Sequence, residues 1–288
     1  MRRFLCALGL LAALTASPAL ALTPVGVMGA LMPPVGPVTA GGFTPTTLGA
    51  AVGGFWDADD LGAGAVATWT DRKNSVATTA TSTAQPTAAT TSWTGTLGPA
   101  KAAITCDGVA NALVNTSFAA LPSGGTAGEV WALVNQTAGA DATTRRIIQY
   151  GGTTSATGRV LQRVINGNSV WRTGDGSTAN ADDQLSVASG PHVVNGNWNG
   201  TLMGVGADGL PYPTMAVTAT LATSTTRLRI CSGNATSAGN FWQGTVRHIL
   251  VTTLLTNTQR LQLGAWLAWD GGITYAMPYS HPYRLRRP

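Results

Sequence analysis

Residues 53–60 read GGFWDADD: two glycines and an aromatic pair, then three carboxylates within four positions. Three chemistries fit such a run. It is a catalytic cluster, an oxygen cage for a hard cation, or the polar end of a first strand. Successive side chains of an extended chain point to opposite faces, so a strand here buries alternate residues of Phe55-Trp56-Asp57. Asp57 then fixes a local turn by accepting backbone hydrogen bonds, as a short polar side chain can. Asp59 and Asp60 open a solvated loop, and they are the candidate metal ligands if a distant loop supplies further oxygens.

Composition supports the strand. Charged residues are 10% of the 288, where a quarter is usual, and 36 glycines with abundant Thr, Ala and Ser fill the space. Poorly charged chains rich in Thr, Val and Gly favour sheets over helix bundles. The length suffices for one large domain or two modest ones with a sizeable core. The net charge of +5 is carried by Arg2 and Arg3 at one end and Arg284, Arg286 and Arg287 at the other. Setting those five aside leaves twelve cationic against twelve acidic residues. No basic stripe with interleaved aromatics runs through the chain, which excludes the usual nucleic-acid surface.

Residues 1–21, MRRFLCALGLLAALTASPALA, combine a positive start, an apolar run and a small-residue finish, the pattern of a secretory signal peptide. The alternative is an apolar N-terminal helix that stays. No later stretch reaches the length of a membrane span. Residues 22–50 hold five of the fifteen prolines and no charge, an arm or linker that suits packing on the domain or on a protein partner. Beyond the first segment two cysteines remain, Cys106 and Cys231. They are a disulfide pair or two small buried thiols. The isolated histidines lack zinc spacing.

From about residue 51 to 253 the pattern is that of strands. RVLQRVINGNSVWRTGD is a hairpin through Asn166-Gly167. TTRLRICSG alternates Leu228 and Ile230 with arginines, and FWQGTVRHILVTTLL is the longest strand candidate. Residues 74–96, rich in Thr and Ala, read as a long surface loop or a weak edge strand. LTNTQRLQLGAWLAWDGG is helical, opened by a Thr256/Gln259 capping box and stopped by Gly271-Gly272. Its Trp266 and Trp269 read as packing residues that lay it on the sheet. Residues 272–288 read as an irregular basic and aromatic tail.

Several motifs together resemble the bacterial laminin-G-like domains of the concanavalin A-like lectin/glucanase superfamily. They are Phe55-Trp56-Asp57-Ala58-Asp59, Trp69-Thr70-Asp71, Cys106-Asp107-Gly108 where the family has Phe-Asp-Gly, Phe241-Trp242-Gln243-Gly244-Thr245-Val246, and the Leu-Thr-x-x-Gln helix that follows. The resemblance covers residues 51–271. It implies an all-β antiparallel sandwich, a jelly roll with one C-terminal helix packed on it.

Fold alone does not fix function, so the chemistry is weighed residue by residue. Hydrolysis by a carboxylate pair finds a single glutamate, Glu129, flanked at even spacing by Ala127 and Trp131. The expectation is therefore a non-catalytic, exported surface module that binds carbohydrate or surface polysaccharide. Its candidate contacts are Trp171, Arg172, Asn197, Trp198, Asn199 and Tyr212, aromatic faces beside amides and a guanidinium. Calcium at Asp59 and Asp60 is the one cofactor expectation. The alternative is a structural or decoration protein of an envelope or phage-like particle, with protein contacts through residues 22–50 or the tail. Glycoside hydrolysis stands third.

Overall fold

The computed structural model describes residues 42–80, 84–93, 97–137, 144–151, 158–166, 168–174, 180–182, 189–200, 202–209, 214–216, 226–233 and 239–288. The expected signal segment and most of the proline-rich arm lie outside them. The strands run in chain order as follows. The first part holds β1 (Val52–Asp57), β2 (Gly64–Ala65), β3 (Thr68–Thr70), β4 (Ala77–Ala80), β5 (Thr87–Trp93), β6 (Lys101–Asp107) and β7 (Leu113–Phe118). The middle holds β8 (Gly128–Gln136), β9 (Arg145–Gly151), β10 (Gly158–Asn166), β11 (Asn168–Gly174) and β12 (Asn180–Asp182). Then come β13 (Gly190–Trp198), β14 (Leu202–Ala207), β15 (Thr214–Ala216), β16 (Thr226–Ile230) and β17 (Gln243–Thr253), followed by the helix α1 (Asn257–Asp270).

Among the described residues these strands form two antiparallel sheets, the jelly-roll sandwich expected from the sequence. The nine-stranded sheet has the order β15-β14-β13-β8-β17-β6-β5-β2, with β1 added beside β17. The eight-stranded sheet runs β12-β11-β10-β9-β16-β7-β4-β3. The long strand β17 is shared out along one edge. Gln243–Val246 pair with β6, and His248–Thr252 pair with β1 beyond a bulge. Gly244 sits there at φ 141°, and a Cβ on it would strike the Asn135 carbonyl of β8, so only glycine lets the two backbones meet.

The central strands of the nine-stranded sheet are buried on both faces, which corrects the expectation of alternate burial at β1. Trp56, Val130, Ala132, Val134, Ile249 and Val251 face the eight-stranded sheet in one core. Phe55, Trp131, Leu133 and Leu250, the residues between them, face α1 in a second core. Sheets covered on both sides read as continuous apolar runs instead of alternating ones. Each fully buried side chain of this size contributes roughly 1.5–3 kcal/mol of transfer free energy.

Helix α1 carries the expected capping box. The Gln259 N–H donates to the Thr256 hydroxyl, and the Gln259 side chain accepts from the Thr256 N–H. Gly272, at φ 65°, ends it. Leu263, Gly264, Ala265, Leu267 and Ala268 turn to the sheet. The second core extends past the expected 51–271 limits at both ends. Leu48 and, beyond the helix, Ile273, Met277 and Tyr283 are buried in it, so the C-terminal segment is packed where a loose tail was expected. The Thr/Ala stretch after residue 74 is likewise more regular than expected, supplying β4 and β5, because small and β-branched residues fit a half-buried pleated surface.

The aspartates of the opening stretch and its echo hold the N-terminal corner. Asp57 accepts from the Asp59 N–H at 3.0 Å, the turn expected of it. Asp71 is fully buried and accepts from the backbone N–H groups of Phe55, Lys73 and Asn74, while the Trp69 indole donates to the Asp57 carbonyl. Cys106 of β6 and Cys231, just past β16, form a disulfide that ties one sheet to the other across 125 positions of sequence.

Candidate functional site

Of the six residues expected to contact a sugar, the three described ones, Asn197, Trp198 and Asn199, do not share one face. Trp198 ends β13 on the inward face and is 1% exposed. Its indole donates to the Thr126 carbonyl at 2.7 Å, and the Arg159 guanidinium lies 4.6 Å from its ring. Strand alternation puts it in the core, which corrects its reading as a ligand contact. Asn197 is half-buried on the opposite face, level with Glu129. Asn199 is exposed in the turn after β13, where its side-chain oxygen accepts from the Leu202 N–H at 2.8 Å. The backbone of Trp171 and Arg172 belongs to β11, but their side chains, like the whole of Tyr212, lie outside the described residues.

The metal expectation at Asp59 and Asp60 meets arginines instead. Asp60 takes the Arg72 guanidinium in a two-bond fork at 2.7 Å, and Arg72 also pairs with Asp57. Asp59 takes the Arg247 guanidinium in a second fork at 2.9 Å, which holds its carboxyl below the usual range. Such forks are the strong form of the ion pair, and they occupy both oxygens of each carboxylate. Among the described residues no three His, Cys, Asp or Glu side chains are grouped to hold a metal ion.

Arg247 carries the network inward. It is 1% exposed, donates to the Ala102 carbonyl at 2.7 Å, and pairs with Asp270 at the end of α1. Asp270 also meets Lys101 at 2.6 Å and the His248 ring nitrogen at 2.7 Å. Burial works against the charged form of Asp270, but hydrogen bonds and positive charge from His248 and Arg247 outweigh it and hold the carboxyl far below the usual carboxylate range. Asp270 therefore stays ionised and fully compensated. It also reaches an open cleft.

That cleft lies at the C-terminal end of α1. Trp266, Trp269 and Asp270 line it from the helix, Gly42, Phe43 and Thr44 from the start of the described chain, and Arg286, Arg287 and Pro288 from its end. Its volume is about 340 Å³, within the usual size of a small-molecule site. Trp266 is propped from beneath, with its ring centroid 5.1 Å from His248 and edge-on to Phe55 at 6.2 Å. Trp269 is pinned by its indole N–H, which donates to the Tyr283 carbonyl at 2.8 Å, and the Arg287 guanidinium stands 5.9 Å from its ring. Both rings are half-buried, so each has a fixed orientation and a free edge or face.

The sequence reading passed over these two tryptophans because helical spacing does not say how far round the buried stripe extends. The signal that marks them is subtractive. Trp56, Trp69, Trp93, Trp131, Trp198 and Trp242 are all buried, which leaves Trp266 and Trp269 as the described tryptophans that present surface.

The carboxylates show no catalytic pair among the described residues. Glu129 is wholly buried; burial pushes its carboxyl up, against the opposing charge of Arg260 at 2.6 Å and hydrogen bonds from the Leu255 N–H and the Trp131 indole. Asp107 accepts from three backbone N–H groups of its own turn, and Asp208 is held by His192 and the Val193 N–H.

No protein-family model and no curated protein matches the chain. Among solved structures it is similar to Trypanosoma rangeli sialidase in complex with 2,3-difluorosialic acid, at 14% identity and a TM-score of 0.51, over 80% of this chain and 36% of that one. A GH54 α-L-arabinofuranosidase is similar at 9% identity and a TM-score of 0.51, over 73% of this chain and 50% of the enzyme. A heptameric SAP-like pentraxin from Limulus polyphemus matches at 16% identity and a TM-score of 0.43, over 54% and 78%. The chain thus spans half or less of each of these two enzymes. At these identities the likeness is one of fold.

Proposed function

We propose that this protein is a non-catalytic carbohydrate-binding module of the laminin-G-like kind, exported and displayed at a surface, and that the cleft at the end of α1 is its sugar site. One observation carries the reading: the described tryptophans that keep surface stand together, in one cleft, beside arginines. A sugar ring offers an apolar face of C–H groups and a rim of hydroxyls. Rigid indoles meet the face, and guanidinium and carboxylate groups at the border meet the rim. Pre-fixed rings lose little conformational entropy on binding, which favours affinity from a small contact.

The non-catalytic part rests on the carboxylates. Hydrolysis needs one group poised as an acid and a second poised as a base or nucleophile. The described carboxylates are each engaged by arginine, lysine, histidine or backbone N–H, and the one with a raised pKa is sealed under the helix.

The test is retention of the full chain on immobilised polysaccharides, with Trp269→Ala and Trp269→Phe compared with wild type. Truncating a central aromatic contact costs about 1 kcal/mol or more, so the alanine variant should bind at least about fivefold more weakly, with phenylalanine between the two. Quenching or blue shift of indole fluorescence on titration reports the same contact without any substitution. Unaltered binding by a folded Trp269→Ala would overturn the site. Failure of the wild type to retain any polysaccharide would favour the protein-contact role in an envelope or particle.

A further inference from the structure

The charge and the shape of the cleft both go beyond a generic sugar site. Among its lining side chains the one carboxylate is Asp270, whose oxygens already face Lys101, Arg247 and His248. Arg286 and Arg287 are exposed at the border. The lining side chains are therefore net positive. Paired guanidinium groups match the planar oxygens of a carboxylate or a sulfate, and they are less strongly hydrated than an ammonium. Arg287 stands beside the Trp269 ring, where a substituent of a stacked sugar would project.

The cleft also continues. A second depression of about 310 Å³ is lined by Gly42, Phe43, Thr47, Leu48, Gln259 and Gln262, and it shares Gly42 and Phe43 with the first. Gln259, Gln262, Trp266 and Trp269 follow one another at spacings of three and four, which places them on a single stripe of α1. At 1.5 Å of rise per residue the stripe is about 15 Å long, more than one monosaccharide fills. Amides at one end and indoles at the other give the hydroxyl contacts and the stacking contacts of successive rings.

We infer that this track binds an extended anionic polysaccharide, its sugar rings laid along Gln259, Gln262, Trp266 and Trp269 and an acidic substituent held by Arg286 and Arg287. The inference rests on the carbohydrate reading of the cleft and adds the class of sugar and the chain length.

The experiment is calorimetric titration of the full chain with oligogalacturonides of one to six units, sulfated dextran oligomers and neutral cello-oligomers, at 50 and 300 mM NaCl. Acidic oligomers should bind about tenfold or more tightly than neutral ones of equal length, as charge-assisted hydrogen bonds do relative to neutral ones. The preference should shrink at the higher salt as the charges are screened, and affinity should rise over the first few units. Arg286→Ala/Arg287→Ala, both at exposed positions, should erase the acid preference, so that acidic and neutral oligomers of equal length bind alike. Gln262→Ala should weaken the longer oligomers alone. Carboxylate against sulfate is decided by which acidic series binds tighter. Equal binding of acidic and neutral oligomers would overturn the inference while leaving the sugar site standing. Binding of no oligomer would overturn both. Equal competition by a DNA oligonucleotide would reduce the track to an unspecific polyanion patch.

Discussion

Arg247 offers the sharpest test of how the opening stretch is held. Replacing it with methionine keeps the stem's apolar packing and removes the guanidinium. Three interactions go with it: the fork to Asp59, the pair to Asp270 and the hydrogen bond to the Ala102 carbonyl. The Asp59 carboxylate is half-exposed and is taken up by water, so its loss is worth about 0–1 kcal/mol. The Ala102 carbonyl is left buried without this donor, at about 1–3 kcal/mol. Breaking a buried pair by removing one partner costs about 3–5 kcal/mol, and Lys101 and His248 remain beside Asp270 to bring that part to its low end. The total is about 4–7 kcal/mol, a large share of the 5–15 that holds a typical domain. Urea unfolding followed by tryptophan fluorescence measures it, with Asp59→Asn as the comparison at about 1 kcal/mol or less. A methionine variant within 1 kcal/mol of wild type would refute the reasoning. So would an Asp59→Asn cost equal to that of Arg247→Met, because the energy would then lie in the exposed fork.

Two further expectations concern conditions. His281 is buried, its Nδ1 accepts from the Tyr283 N–H, and burial lowers its pKa; the neutral ring is the folded form. Its contribution is present above the unfolded value of about 6.5 and is lost as pH falls below it. Urea midpoints between pH 8 and 5 should fall for wild type and stay flatter for His281→Gln, and parallel curves would contradict this. Asp270, also depressed, adds its own loss only below about pH 4. The Cys106–Cys231 bridge closes a loop of 125 positions, for which chain entropy gives about 5 kcal/mol. Unfolding and refolding in dithiothreitol should lower the urea midpoint, and Cys106→Ala/Cys231→Ala should reproduce the loss and be indifferent to reductant. Equal midpoints with and without reductant in the wild type would remove the bridge from the account of stability.

The fold was legible where a motif is answered locally. Phe55-Trp56 and Trp69-Thr70-Asp71 mark a corner whose hydrogen bonds close within twenty residues, and Thr256 with Gln259 closes within three. The cleft was not legible, for a reason of geometry. Its walls come from positions 42–44, 266–270 and 286–288, which only the finished core brings together. Asp59 looked like a metal ligand because its partner, Arg247, is 188 positions away. Trp198 looked like a sugar contact because amides flank it, and flanking residues on a strand report the opposite face. Helix α1 was read correctly as a helix, but its outer stripe took its meaning from what stands across from it.

The pairing of β1 with β17 sets a constraint on how the molecule is made. Val52 lies opposite Thr252 and Asp57 opposite His248, so the strand that emerges first has no neighbour on that edge until nearly the whole sheet has been synthesised. Contacts so distant in sequence fold slowly, because loop closure precedes any reward. Until then Phe55 and Trp56 belong to an open chain with two apolar faces, a species that aggregates readily. The last strand and the helix behind it act together as the closing step. A chain cut short before β17 should accumulate as collapsed, protease-sensitive material and not as a smaller native domain.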